Sequence, residues 1–440
     1  MNTPIADFVR DYAASDTLRL HVPGHKGRGP LGCEALDITE IRGADSLYEA
    51  SGVIAQSEEN AAALFGSGRT LFSTEGSSQC LRAMVYLALT CRPEGAAPVL
   101  AAARNMHKSF LYAAALTDAR VEWLWPERMD SLCSCEITPE ALDAALSRMD
   151  EAPAAVFVTS PDYLGVQADI PGLASVCRRF GTLLAVDGAH GAYLHFLTPP
   201  AGALDLGADL VCESAHKTLP VLTGGAYLHI GKNAPVAFAE NARTAMSIFG
   251  STSPSYLTLM SLDLCNRTLA EGYGDRLMKT AGIAESIRCR LRALGWEAVR
   301  SDPLRVTVRG DGEAMAARLR EGGVEPEYAD RDSLVLMLTP ESDPAALMRV
   351  PDALGRNDLP EPPSRALPTA KCETVCTPRQ ALFSPRETVP AAEALGRICG
   401  APTVSCPPAV PIAVCGERIG PEAGKLFEYY GVNQVDVLKE

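Results

Sequence analysis

LASVCRRFGTLLAVDGAH, residues 173–190, decides how the chain is read. LASVCRRF has helical spacing. TLLAVD (182–187) is a short apolar run without clear alternation, the pattern of a strand buried on both faces. It stops on Asp187, and Gly188, Ala189 and His190 follow. A helix feeding a buried strand that ends on titratable groups is the repeating unit of an open, mostly parallel α/β sheet. In such sheets ligands bind beyond the carboxyl ends of the strands.

The same rhythm runs from about residue 57 to 230. SEENAAALFG is a helix ending at Gly66, TLFST (70–74) a strand, and SSQCLRAMVYLALT (77–90) a helix with two serines at its N-cap. The strand APVLAAA (97–103), a helix after NMHKSF, and the strand VEWLW (121–125) follow. AALSRM is helical, AAVFVTS (154–160) a strand, and ADLVCES (208–214) and GAYLHI (225–230) are strands again. Residues 235–275 look helical. IAESIRCRLRALG (283–295) is an amphipathic helix, after which LRVTVRG, EAMAARLREGG, SLVLMLTP and PAALMRVPDALG spell β-α-β-α in a smaller unit. The expected division is an N-terminal arm and active-site loop over 1–55, a large domain over 56–278, a small α/β domain over 279–357, and a Pro-rich linker with a C-terminal region over 358–440. The arm is rich in Gly and Pro and shows no long periodic pattern. Its HVPGHKGRGPLG (21–32) is a loop, either a solvated basic loop or an anion-binding or active-site one.

Bulk properties narrow the function. A chain of 440 residues fits two or three packed units. Its net charge of -14 argues against nucleic acid, because phosphate binding needs a basic surface. No apolar run is long enough to cross a bilayer, and the first residues lack a secretory pattern, so a cytoplasmic protein without a membrane role is expected. The 14 cysteines are scattered and are expected to be reduced. The close pairs Cys133/Cys135 and Cys372/Cys376 have no second ligand pair at zinc spacing, so no metal site is expected.

Polar groups follow strand after strand. TLFST is followed by Glu75, Gly76, Ser77 and Ser78; APVLAAA by Asn105, Met106, His107, Lys108 and Ser109; AAVFVTS by Pro161, Asp162 and Tyr163. Asp187 leads to Ala189 and His190, and ADLVC leads to Glu213, Ser214, Ala215, His216 and Lys217. Gly76, Ser77 and Ser78 open a helix, and free N–H groups with two hydroxyls make a phosphate site there, or an ordinary serine cap. Asp187 needs a cationic partner or several hydrogen bonds; a protonated pyridine nitrogen is one such partner, a structural ion pair another. His107 is either a flat stacking surface or a satisfied loop histidine. Lys217 is either an ordinary surface lysine or, in a partly desolvated pocket, a carbonyl-binding amine. A phosphate cradle, a buried aspartate and a strand-end lysine together describe a pyridoxal phosphate site. Ser214 and His216 would then hold the phosphate or the substrate.

HVPGHKGRG, NMHKS, SPDYLGVQADI, LAVDGAHGAYLHF, ESAHKTLP and STSPSYLTLMSLD resemble the prokaryotic Orn/Lys/Arg decarboxylase family, a fold-type I pyridoxal phosphate family. The likeness runs from about residue 20 to 265 and continues more weakly to CPPAVPIAVCGERI. It implies an aspartate-aminotransferase-like large domain and decarboxylation of arginine, lysine or ornithine to a polyamine-type amine. Lys217 resembles the family's Schiff-base lysine, and Ser214 and His216 the residues that contact phosphate and bound substrate. Asp187 resembles the partner of the pyridine nitrogen. Ala189 would pack under the ring with His190 beside it, His107 would stack on the cofactor, and Gly76, Ser77 and Ser78 resemble the phosphate loop. His216 or Lys217 would return a proton to the substrate carbon. The likeness also implies a homodimer or higher homo-oligomer, with the STSPSY loop (251–256) at a cross-subunit contact.

The chain resembles the short form, without an N-terminal receiver-like domain. Ala44-Asp45-Ser46-Leu47-Tyr48 replaces a more usual early-loop pattern. Ala401 stands where an acidic residue is common in the family and Ala409 where glycine is, which points to an altered substrate pocket. Three other readings stand beside the main one: a decarboxylase of a non-standard amino acid, an aminotransferase or lyase on the same fold, and a non-catalytic regulatory relative.

Overall fold

The computed structural model describes residues 1–299, 301–359, 367–402 and 409–439. Seven strands carry the large fold: β1 (Arg69–Ser73), β2 (Ala97–Ala103), β3 (Arg120–Leu124), β4 (Pro153–Thr159), β5 (Leu183–Asp187), β6 (Leu210–Glu213) and β7 (Ala226–Ile230). The chain divides into two compact units, each built from two stretches: Met1–Pro93 with Leu183–Arg276, and Glu94–Thr182 with Leu277–Glu440.

In the first unit the strands run in the order β1-β7-β6-β5. β5 and β6 are parallel, with Asp187 opposite Cys212. β7 is antiparallel to both β6 and β1. Every residue of β5, β6 and β7 is buried. This is why their sequences are near-continuous apolar runs rather than alternating ones. The same property hides direction, so the antiparallel setting of β7 has no counterpart in its sequence.

The N-terminal arm is more ordered than its Gly and Pro content suggests. Helix α1 (Pro4–Ala14) starts with proline at its first position, where no N–H is needed, and buries Ile5, Ala6 and Val9. It is held by Asp263, whose carboxylate accepts from Ala6 N at 2.9 Å and from Ser57 Oγ at 2.6 Å. Ser57 lies on helix α2 (Val53–Phe65). Helix α3 (Gly76–Thr90) then follows β1, and its N-cap is Glu75 rather than a serine. Ser77 and Ser78 are therefore the second and third helical residues, which corrects the expected serine N-cap.

In the second unit β2 lies between β3 and β4, parallel to both. Helix α4 (Lys108–Thr117) follows β2. The helix expected over AALSRM sits earlier, at Pro139–Leu146, because Thr138 caps it and Pro139 starts it. A four-stranded antiparallel sheet uses β8 (Glu297–Val299), β9 (Arg305–Arg309), β10 (Tyr328–Ala329) and β11 (Ser333–Met337), in the order β10-β11-β9-β8. Its core joins Ile287 and Leu291 of the helix Tyr273–Ala293 to Val306, Val308, Leu334 and Leu336. The C-terminal stretch adds the antiparallel pair Arg386–Pro390 and Gln434–Leu438 and the helix Pro421–Tyr429. Its apolar residues Ile412, Leu426 and Phe427 cluster with Met129 and Leu132. The centre of the Pro-rich linker and the start of CPPAVPIAVCGERI lie outside the described residues.

Among the described residues no helix is long and apolar enough to cross a membrane, and no group of three His, Cys, Asp or Glu could hold a metal ion. The thirteen described cysteines are free thiols.

Candidate cofactor and catalytic site

The parallel register of β5 and β6 brings their ends level, so the loops that follow leave from one edge. After β6 the chain makes one helical turn, Ala215–Thr218. Lys217 lies on that turn and points its Nζ at His190 Nε2, 3.0 Å away, on the loop after β5. His190 is buried and Lys217 half-buried. Two residues that follow different strands therefore meet as a hydrogen-bonded pair.

Asp187 ends β5 with only 4% of its surface exposed. Its Oδ1 accepts from Ala189 N at 3.2 Å and from Cys212 Sγ at 3.6 Å. Burial, with Asp187 beside it, pushes the Cys212 thiol well above its ordinary range, so that thiol stays protonated and donates. Asp187 Oδ2 accepts no hydrogen bond among the described residues. A buried carboxylate with an oxygen left over could hold a protonated ring nitrogen, so this residue fits a pyridine cofactor. Ala189, small and buried, follows directly.

Gly76 takes φ +73°, a left-handed conformation that suits glycine, and its N–H donates to Gly224 O at 2.7 Å. The Glu75 side chain makes no cap hydrogen bond at the start of the 15-residue helix α3. Ser77 Oγ lies 2.8 Å from Ser214 Oγ. The start of α3 and the end of β6 thus present paired hydroxyls at a helix N-terminus, which could hold a phosphate. Ser78 is half-buried on the same turn.

His216 sits beside Lys217, but its Nδ1 is tied to Gly225 O at 3.0 Å. Burial lowers its pKa, so the ring is neutral, with Nδ1–H donating and Nε2 free of that proton.

His107 belongs to the second unit. It caps α4, with Nδ1 accepting from Ser109 N at 3.2 Å and 2.8 Å from Ser109 Oγ. The loop before it is fastened hard. Arg104, 4% exposed, reaches Glu417 Oε2 and Ile412 O, each at 3.0 Å, and lies over the rings of Trp123 and Trp125. Lys108 N donates to Ala409 O at 3.0 Å. Ala409 keeps the left-handed backbone of a glycine position, φ +60°. Ala401 is half-buried, and its carbonyl accepts from Cys399 Sγ at 2.9 Å.

Two features of the structure have little local signal in the sequence. One is the Arg104–Glu417 pair, whose members are 313 residues apart. The other is a chain of buried groups around Glu213, His195 and His229. A histidine inside the apolar run GAYLHI was its visible sign, because a buried imidazole needs partners.

The fold is that of fold-type I pyridoxal phosphate enzymes, α/β with a mostly parallel sheet. The lysine decarboxylase LdcF of Francisella novicida superposes with a TM-score of 0.82 at 17% identity, over 99% of this chain and 81% of that one. The constitutive lysine decarboxylase of E. coli gives 0.80 at 18% identity, over 100% and 82%. Residues 3–301 match the Orn/Lys/Arg decarboxylase major domain, and the chain belongs to that family. It is a pyridoxal phosphate-dependent amino-acid decarboxylase. Among curated relatives, an arginine decarboxylase of Bacillus subtilis (strain 168) is 29% identical, with 96% of this chain and 92% of that protein aligned. The uncharacterized protein YaaO of the same organism is 28% identical, over 96% and 93%.

Proposed function

We propose that the protein decarboxylates a basic amino acid, with arginine the first substrate to test, and that Lys217 carries the cofactor's aldehyde carbon. The observation that carries this reading is the Lys217–His190 pair at the edge where Asp187 keeps an oxygen free of protein partners. Curated relatives named arginine decarboxylase align over 94–96% of the chain, which supports arginine first.

Pyridoxal phosphate, when bound, supplies an electron sink for the pair left behind as CO2 departs. This chain's residues do the rest. Asp187 keeps a proton on the ring nitrogen through its free oxygen. The turn that Gly76 opens, with Ser77, Ser78 and the Ser77 and Ser214 hydroxyls, would hold the phosphate. Ala189 offers a flat apolar seat, and His190 orients the Lys217 amine. Lys217 returns the proton to the substrate carbon, because neutral His216 keeps its one proton on Nδ1 against Gly225 O. For His107 the support is the family resemblance, which assigns its imidazole to the face of the cofactor. The same resemblance supports a homodimer or higher homo-oligomer in polyamine synthesis, with the STSPSY loop at the subunit contact; a cytoplasmic location is supported by the lack of a secretory pattern at the N-terminus.

Ala401 and Ala409 favour a second reading, a non-standard amino acid as substrate, because both depart from the family's residues in the C-terminal segment. Product analysis decides between the two. Purified holoenzyme is incubated separately with arginine, lysine and ornithine, and agmatine, cadaverine and putrescine are sought by mass spectrometry. One dominant amine supports the main reading. A protein that binds cofactor yet yields none of the three amines supports the second. Amine exchange that depends on a keto acid would overturn decarboxylation.

A further inference from the structure

Glu213 ends β6, one residue before Ser214 and four before Lys217, and its carboxylate is almost fully buried. Each oxygen meets a different histidine: Oε1 lies 3.0 Å from His195 Nε2, and Oε2 lies 3.2 Å from His229 Nε2. The chain continues outward, with His195 Nδ1 2.8 Å from Asp205 Oδ2. It continues inward, with His229 Nδ1 2.8 Å from Thr70 Oγ1 and that hydroxyl 2.8 Å from Ser67 Oγ. Phe65 packs on both imidazoles, at centroid distances of 5.0 and 4.6 Å.

The protons can be assigned from the partners. An ionised carboxylate only accepts, so both Nε2 atoms carry hydrogen. The other nitrogen of His195 faces a second carboxylate, so that ring is an imidazolium. The other nitrogen of His229 faces a hydroxyl that donates to it, so that ring is neutral. The electrostatics agree. Burial opposes the charge on His195, yet Glu213 and Asp205 raise its pKa to about 10, while burial lowers that of His229. Burial also opposes the charge on Glu213, but His195 brings its pKa down to about 2.

A buried ion pair gives little stability beyond what an apolar replacement would give, so its value lies in geometry. Three elements converge on one carboxylate. Glu213 is on the strand that leads into the Lys217 turn. His195 closes the loop that carries Ala189 and His190. His229 is on β7. The neighbouring chain is shaped to the ring of His195: a Cβ on Gly202 would fall 2.3 Å from His195 Nδ1.

We propose that Glu213 is a positioning residue, which through His195 and His229 holds the His190 loop and the Lys217 turn in register and so orients the group carried on Lys217. The inference rests on the proposed function only for Lys217 as the point of attachment.

Glu213→Gln keeps the size, removes the charge, and turns an amide N–H toward one of the two histidines. In the holoenzyme this variant should bind cofactor but show a weakened or inverted visible circular dichroism band per bound cofactor. Its kcat should fall about tenfold or more, with KM within about twofold. In the cofactor-free protein, imidazole nitrogen NMR should show His195 doubly protonated at neutral pH in the wild type and neutral in the variant. Asp205→Asn, at the exposed end of the chain, should shift the same signals in the same direction by less. A folded Glu213→Gln protein with unchanged dichroism and kcat overturns the proposal, even if its thermal stability drops. If Glu213→Gln does not fold, unchanged dichroism and kcat in Asp205→Asn overturns it instead. The dichroism needs only cofactor on Lys217, so failure to find an amine product would reject the substrate reading and leave this test standing.

Discussion

Lys217 Nζ and His190 Nε2 stand 3.0 Å apart, on loops that leave the level ends of two parallel strands, β5 and β6. The pairing depends on strand register, because a slip of one residue would turn one of these strand ends to the opposite face. The amine is thereby held in a fixed direction within a partly desolvated setting, which a carbonyl-binding lysine requires.

Lys217→Ala should abolish turnover, by at least about 10³-fold, while cofactor still binds through the remaining residues. Borohydride reduction followed by peptide mass spectrometry checks the attachment. The wild-type label should fall on the peptide containing Lys217 and be absent from the variant.

Asp187→Asn preserves shape and the hydrogen bond from Ala189, but not the negative charge. An amide cannot hold a proton on the ring nitrogen as a carboxylate does. We expect kcat to fall by about 10²–10³-fold, the size of effect seen when one preorganised electrostatic group is removed. Steady-state kinetics at saturating cofactor measures it, and a kcat within a few-fold of wild type would contradict the role.

Glu417→Ala should be strongly destabilising. Its side chain and that of Arg104 are 2% and 4% exposed, and the substitution leaves a buried guanidinium without its carboxylate. Breaking such a pair from one side costs about 3–5 kcal/mol. Urea titration of the variant against wild type provides the difference.

Ala409→Gly should stabilise the protein. An L-residue at φ +60° carries about 1–2 kcal/mol of strain, and glycine gives back about 0.5–1 kcal/mol of that in backbone entropy. A net gain near 0.5–1 kcal/mol is expected, visible as a small rise in Tm.

The His195–Glu213 pair also gives stability a pH dependence of defined sign. His195 is raised from 6.5 to about 10, so its contribution is complete below about pH 6.5 and is lost as pH rises through 10. Glu213 is lowered from 4.5 to about 2, so its contribution is present above about pH 4.5 and is lost as pH falls toward 2. Between pH 7 and 10 the Tm of the wild type should fall more steeply than that of His195→Gln. Parallel curves would contradict the assigned charge.

The α/β alternation was legible because strands buried on both faces leave short apolar runs, and their ends leave polar groups at one edge. Lys217, Asp187, Ser77, Ser214 and His190 could be found that way. The antiparallel setting of β7 could not, since buried strands look alike in either direction. Helix α1 was hidden because the Gly- and Pro-rich loop over 21–32 set the reading of the whole arm, although Pro4 at the first helical position is a start signal. The Glu213 chain was harder still. His195, His229, Asp205 and Thr70 lie on four separate segments, and only folding makes one carboxylate serve two of them. Arg104 and Glu417 show the same limit: a long-range ion pair leaves no local pattern in either segment.

Release of labelled CO2 from carboxyl-¹³C arginine, lysine and ornithine, by wild-type holoenzyme and by Lys217→Ala, tests decarboxylation through Lys217 at the reacting bond. We expect ¹³CO2 and the matching amine in equal amounts from one of the three with the wild type, arginine being first in line, and none with the variant. Release that persists without Lys217, or wild-type protein that carries the cofactor on Lys217 yet frees no CO2 from any of them, would contradict decarboxylation of a basic amino acid through Lys217.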